Sequence, residues 1–209
     1  MTARRGAGRR ASLPVLPAEP PRIRADARRN REKILVAATA LFGDREPANV
    51  SADDIVAAAG VGKGTLFRIF GDKSGVAHAL LDSLETELQR AILDGPPPIG
   101  PGVEPWARLG AFLRAYVDYV AAHSKLVTMS QWSRPGRRFE TGSHEFWRAH
   151  VRYLLREADV PGADFAAEVL LAAVTAEQIV RWVEVEGRQP AGIARALTAL
   201  ARRWALSEA

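Results

Sequence analysis

Residues 51–70 read SADDIVAAAGVGKGTLFRIF, and this stretch leaves the chain few ways to fold. Ser51-Ala-Asp-Asp54 is a helix start of the capping-box kind, with Asp in place of the preferred Glu. Ile55, Val56, Ala58 and Ala59 then give one short apolar face. Gly60 stops this helix, and Gly62 or Lys63 opens a second one with Leu66 and Phe70 on its inner side. Gly71-Asp72 ends it. Two short helices joined by a tight glycine turn, with small residues where they cross, make a helix-turn-helix. Neither helix buries enough alone, so a third must cover them. Ile34, Leu35, Ala38, Leu41 and Phe42 form one face of such a helix, which should end before Pro47.

With Leu66 and Phe70 inward, the second short helix turns Lys63, Thr65 and Arg68 outward. Cationic and hydroxyl side chains on a short exposed helix suit the major groove of DNA. A compact three-helix module with a solvated charged face has the same pattern.

Asp72 is a good N-cap for a fourth helix to about residue 92. Residues 94–105 (DGPPPIGPGVEP) are a loop, because Pro and Gly sustain neither helix nor strand. Trp106, Leu109, Leu113, Tyr116 and Val120 then recur at helical spacing, and residues 125–131 suit a further short helix. Residues 133–142 read as loop, followed by helices over 146–158, 164–186 and 191–206. No segment alternates as a strand does. The expected fold is all-α: a basic disordered arm over 1–24, a helix-turn-helix domain over 25–72, and a helical ligand-binding and dimerisation domain over 73–209.

The formal charge of +5 is uneven. Residues 1–21 carry +3, residues 22–75 another +3, and residues 76–209 carry −1. A polyanion would therefore meet the first third of the chain. The Arg-rich arm suits phosphate contact rather than base reading.

Other chemistry finds little support. The absence of cysteine excludes disulfides, thiolate zinc sites and cysteine nucleophiles. His144-Glu145 begins like a zinc-protease helix, but His150 follows at i+6 instead of i+4, about 240° round the helix. No nucleophile elbow, phosphate loop or EF-hand loop is present. No catalytic residue, metal or cofactor is expected. No apolar run is long enough to span a bilayer and the basic N-terminus lacks a secretory apolar stretch, so a cytoplasmic protein is expected.

Residues 28–80 resemble the DNA-binding domain of the TetR (TetR/AcrR) family of transcriptional regulators. The match rests on Leu41-Phe42, Ile55, Ala59-Gly60-Val61, Lys63-Gly64-Thr65-Leu66-Phe67, Phe70 and Lys73 in one register. Gly62 stands where the family often has Ser, and Phe67 where it often has Tyr, so a phosphate-reaching hydroxyl is missing and a packing ring remains. Val50 and Glu46-Pro47 replace the usual Thr and turn Gly. The resemblance implies a repressor that binds palindromic operator duplex as a homodimer and is released by a small-molecule inducer. It implies DNA contacts from Lys63, Thr65, Phe67 and Arg68, phosphate contacts from Ser51 and Lys73, and backbone contacts from Arg28 and Arg29. Arg22 and Arg24 would reach a minor groove. A DNA-binding architectural protein without a ligand and an all-helical enzyme are the alternatives.

The resemblance also implies a dimer through the last two helices. Val169, Ala173, Ala176, Val180 and Val183 form one seam at helical spacing, and Ile193, Leu197, Leu200 and Trp204 another. Aromatic side chains crowd the region between 94 and 164, which suits a pocket for a small apolar or aromatic ligand. Its candidate lining is Trp106, Tyr116, Tyr119, His123, Trp132, Phe146, Trp147, His150 and Gln178, with Thr128 a further polar candidate.

Overall fold

A computed structural model describes residues 21–131, 139 and 141–206. Among these, the regular secondary structure is helical. α1 (Pro21–Asp44) is followed by a 3-10 turn (Pro47–Asn49), α2 (Ala52–Ala59), α3 (Lys63–Phe70), α4 (Lys73–Asp94) and α5 (Pro105–Gln131). Then come α6 (Gly142–Glu157), α7 (Ala163–Ala172), α8 (Ala176–Val180) with a π-helical turn (Arg181–Val185), and α9 (Pro190–Leu206). No described helix is long and apolar enough to cross a membrane.

The helix ends follow local chemistry. The Ser51 hydroxyl accepts from the Asp54 backbone N–H at 3.0 Å while the Asp54 carboxylate accepts from the Ser51 N–H at 2.8 Å, completing the capping box. Gly60 takes a left-handed conformation (φ 63°), and the Val61 N–H then donates to the Val56 carbonyl. The Asp72 carboxylate caps α4 by accepting from the Gly75 N–H at 2.8 Å. A Cβ on Gly75 would lie 1.8 Å from the Phe70 carbonyl oxygen, so only glycine lets α4 start this close to the end of α3.

Two cores result. Ile34 and Ala38 of α1, Val50, Ile55 of α2, Leu66 of α3 and Val76 of α4 form the smaller one. Arg31 lies 5.7 Å from the Phe70 ring centroid and ties α1 to α3. The larger core surrounds α5, which packs on α4, α6, α8 and α9. Its largest buried side chains are Phe112 and Trp147. α5 bends at His123 (φ −123°, ψ 19°), and just beyond the bend Lys125 pairs with Glu46 beside the 3-10 turn.

Several expectations change. α1 begins at Pro21, so the arm boundary at 24 falls inside a helix; residues 1–20 lie outside those described. The domain boundary at 72/73 is not a break in packing, because Val76 and Leu80 of α4 belong to the smaller core and Ile92 to the larger. The expected helix over 164–186 is broken after Ala172, where the Thr175 hydroxyl accepts from the Gln178 N–H at 3.2 Å and starts α8 afresh. Most of the expected loop 133–142 lies outside the described residues.

Candidate nucleic-acid interface and the cavity behind it

α3 is amphipathic over only two turns. Leu66 is fully buried, Ile69 and Phe70 pack half-buried on the same core, and Lys63, Gly64, Phe67 and Arg68 are exposed. Gly62 and Gly64 have open space where a Cβ would stand, so the first turn of α3 presents bare backbone. A flat surface, two cations and free helix N-terminal N–H groups can approach a phosphate-lined groove closely.

The individual side chains divide into three groups. Arg68 is exposed, as are Arg28 and Arg29 on α1, the last paired with Asp26. Lys63 is exposed but pairs with Asp53 of α2 at 2.8 Å, an exposed contact that a phosphate can replace. Thr65 is half-buried, so its hydroxyl sits at the edge of the face. Phe67, expected as a packing ring, is 45% exposed beside Arg68. Lys73 and Ser51 differ most from expectation. The Lys73 ammonium donates to the carbonyls of Pro47 (3.1 Å), Ala48 (3.2 Å) and Val50 (2.6 Å), and burial holds its pKa below the ordinary lysine value. It closes the loop before α2 instead of pointing outward. The Ser51 hydroxyl donates to the Asp54 carboxylate at 2.7 Å and caps α2, which leaves it no further proton to give a phosphate. These bonds hold Asp54 below the ordinary carboxylate pKa. Of the side chains of Arg22 and Arg24 nothing is described.

Behind this surface, α4, α5, α6 and the start of α8 enclose a cavity of about 70 Å³. Of the expected pocket residues, Tyr116, Tyr119 and Trp147 line it together. The others do not. Trp106 packs at α9 with Arg202 over its ring at 5.2 Å. His123 faces a groove between the α1 end and α5. Phe146 lines a shallower depression. His150 is buried edge-on against Phe112 at 5.3 Å, and burial, then Arg108, lowers its pKa to about 4. Gln178 and Thr128 are half-buried outside the cavity wall, and Trp132 lies outside the described residues.

Sequence reading missed the polar part of the cavity. Glu85 accepts from the Tyr119 hydroxyl at 3.0 Å and from the Ser143 hydroxyl at 2.5 Å. Burial and then the Glu85 charge push the Tyr119 hydroxyl far above the ordinary tyrosine pKa, so it remains a proton donor. His78 and His144 also line the cavity. One signal was available: His78, Leu81 and Glu85 fall at i, i+3 and i+7, a core-facing stripe with polar ends.

The C-terminal seams also divide. Ile193, Leu197 and Ala201 are buried in the chain's own core, and Ala176 with them, so these are not free for a partner. Exposed apolar side chains remain at Phe165, Val185, Leu200 and Leu206.

Residues 34–80 match the family described as bacterial regulatory proteins, tetR family. This span runs from the first buried residue of α1 to the α4 residue that closes the smaller core. The HTH-type transcriptional repressor Rv3405c of Mycobacterium tuberculosis is 48% identical over 59 residues, 28% of this chain and 31% of that protein. Residues 34–80 are thus a TetR-family N-terminal domain. The aligned stretch covers about a third of the curated relatives' length, so likeness to them is confined to one domain. The all-helical TetR fold extends further. A TetR/AcrR regulator from Thermobifida fusca superimposes with a TM-score of 0.58 at 26% identity, over 82% of this chain and 95% of that one. FadR of Thermus thermophilus, a TetR-family repressor in complex with lauroyl-CoA, does so with a TM-score of 0.60 at 22% identity, over 82% and 92%.

Proposed function

We propose that this chain is a ligand-responsive transcriptional repressor that binds palindromic operator DNA as a homodimer and releases it when a small molecule enters the α4–α6 cavity. The observation that carries the reading is the double role of α4. Near its start, Lys73 holds the loop before α2 and Val76 packs under the helix-turn-helix. His78, Leu81 and Glu85 of the same helix line the cavity. Val76 and Glu85 are nine residues apart, about 14 Å along the axis. A helix this short moves as one piece, so any shift of α4 that admits a ligand is passed to α3. The ligand biases the equilibrium by the difference in its affinity for the two positions.

The exposed Phe165, Leu200 and Leu206 support self-association through α7 and α9. A twofold dimer would set two α3 helices into successive major grooves, about 34–36 Å apart. An architectural protein without an effector has no use for a cavity beside α4, and neither the family match nor the relatives support the enzyme alternative.

Selection from a random duplex pool tests the reading. A palindromic consensus with half-sites one helical turn or a multiple apart is expected. Failure to enrich any sequence, or enrichment of a site without twofold symmetry, would overturn it.

A further inference from the structure

Lys63, Arg68, Arg28 and Arg29 are exposed cations of α3 and α1, and two of them are held by carboxylates: Lys63 by Asp53 and Arg29 by Asp26. The Arg29 pair is local to α1, whereas the Lys63 pair crosses from α3 to the first turn of α2. The Lys63 ammonium lies 2.8 and 3.0 Å from the two Asp53 carboxylate oxygens. Helix capping does not account for Asp53, because Asp54 completes the capping box with Ser51. Lys63 is the first residue of α3, where the helix dipole disfavours a cation, and Asp53 offsets that. Both side chains are exposed, so the pair adds little to folding. Its weight falls on binding. When Lys63 passes to a phosphate or a base edge, the Asp53 carboxylate is left unpaired beside a polyanion. That exchange is favourable only where the duplex takes the ammonium in close, fixed geometry. On a loosely docked duplex the pair stays closed and brings no net charge. Random binding rests almost wholly on released counterions, so a cation neutralised within the protein drops out of it.

We propose that Asp53 is a specificity-determining residue, whose carboxylate keeps Lys63 from random duplex and yields it to the operator. In this role Asp53 acts through Lys63 and touches no base itself. The inference rests on the reading of α3 as the helix that meets DNA. It adds to that reading a residue of α2 that weakens DNA binding, and weakens it unequally. The expected effect of removing the carboxylate is therefore a gain of affinity paired with a loss of discrimination.

The test titrates the intact protein by fluorescence anisotropy against the selected duplex and a random duplex, at a series of salt concentrations. Asp53→Asn should tighten random binding by about three- to five-fold near 0.1 M salt. Its log–log dependence on salt should steepen by roughly 0.9, as one more cation meets phosphate. The selected duplex should gain less, so the ratio of the two affinities falls. Asp44→Asn is the control for bulk charge: it removes the same charge at the other end of α1, in the groove against α5, and should leave both duplexes as in the parent. Melting temperatures should hold in both variants, since both residues are exposed. Random binding unchanged in Asp53→Asn, an equal gain on both duplexes, or the same gain from Asp44→Asn would overturn the proposal. The parent's own preference for the selected duplex, read in the same titrations, carries the repressor reading. A parent that discriminates beside an Asp53→Asn variant that discriminates as well would overturn the role of Asp53 alone.

Discussion

The Lys73 ammonium reaches back across 23 residues to the Val50 carbonyl, at 2.6 Å, and shares its remaining protons with Pro47 and Ala48. Three carbonyl dipoles converge on one cation at the joint between α4 and the loop that feeds α2. Lys73→Met keeps the stem and removes the charge, leaving three carbonyls short of a donor. It should lower the unfolding free energy by about 1–3 kcal/mol, read by urea denaturation. Loss of DNA affinity with unchanged stability would return Lys73 to the role of a phosphate contact.

On the DNA side, Arg68→Ala should cost about 1–3 kcal/mol of affinity for the selected duplex if the guanidinium meets a base edge. Random duplex should lose much less. Because Arg68 is exposed, the melting temperature should hold. Phe67→Ala should change which bases are selected more than how tightly random duplex binds, since an exposed ring contributes apolar contact and no charge. Titration of both variants at two salt concentrations decides. Parent-like selectivity in both would remove α3 as the reading helix.

Leu197 and Leu200 separate folding from assembly. Leu197 is 7% exposed inside the larger core, whereas Leu200 is 42% exposed on the outer side of α9. Leu197→Asp buries an unpaired charge and should unfold the domain. Leu200→Asp should leave the helical circular dichroism intact and shift sedimentation toward monomer. A folded Leu200→Asp dimer would move the interface away from this face.

His150 makes stability depend on pH. Its pKa falls from the ordinary 6.5 to about 4, by burial first and then the Arg108 charge. Between those values the unfolded chain takes up a proton that the folded chain refuses. Stability is therefore full above pH 6.5 and declines as pH falls toward 4, by up to about 3 kcal/mol. His150→Leu should flatten the stability profile in that window, as followed by denaturant titration at a series of pH values. A profile as steep as the parent's would assign the effect to another group.

What the sequence determined by itself was the part written in short-range terms. The ends of α2 and α3, the Ser51–Asp54 capping box, the left-handed Gly60 and the Asp72 cap all depend on atoms within about four residues, so residue type and spacing specify them. The inward turn of Leu66 follows from the same periodicity. The Thr175 cap is equally local, but the apolar run across it read as one continuous helix. The tertiary structure decided what two distant segments do to each other. Tyr119 and Ser143 lie 34 and 58 residues from the Glu85 they share, and no helical period carries that information. The same holds for Lys73, whose charge reads as outward until the loop before α2 folds against it, and for Leu197 and Leu200. Those two sit three residues apart on one apolar seam, and only the packing of α9 on α5 sends one inward and leaves the other out.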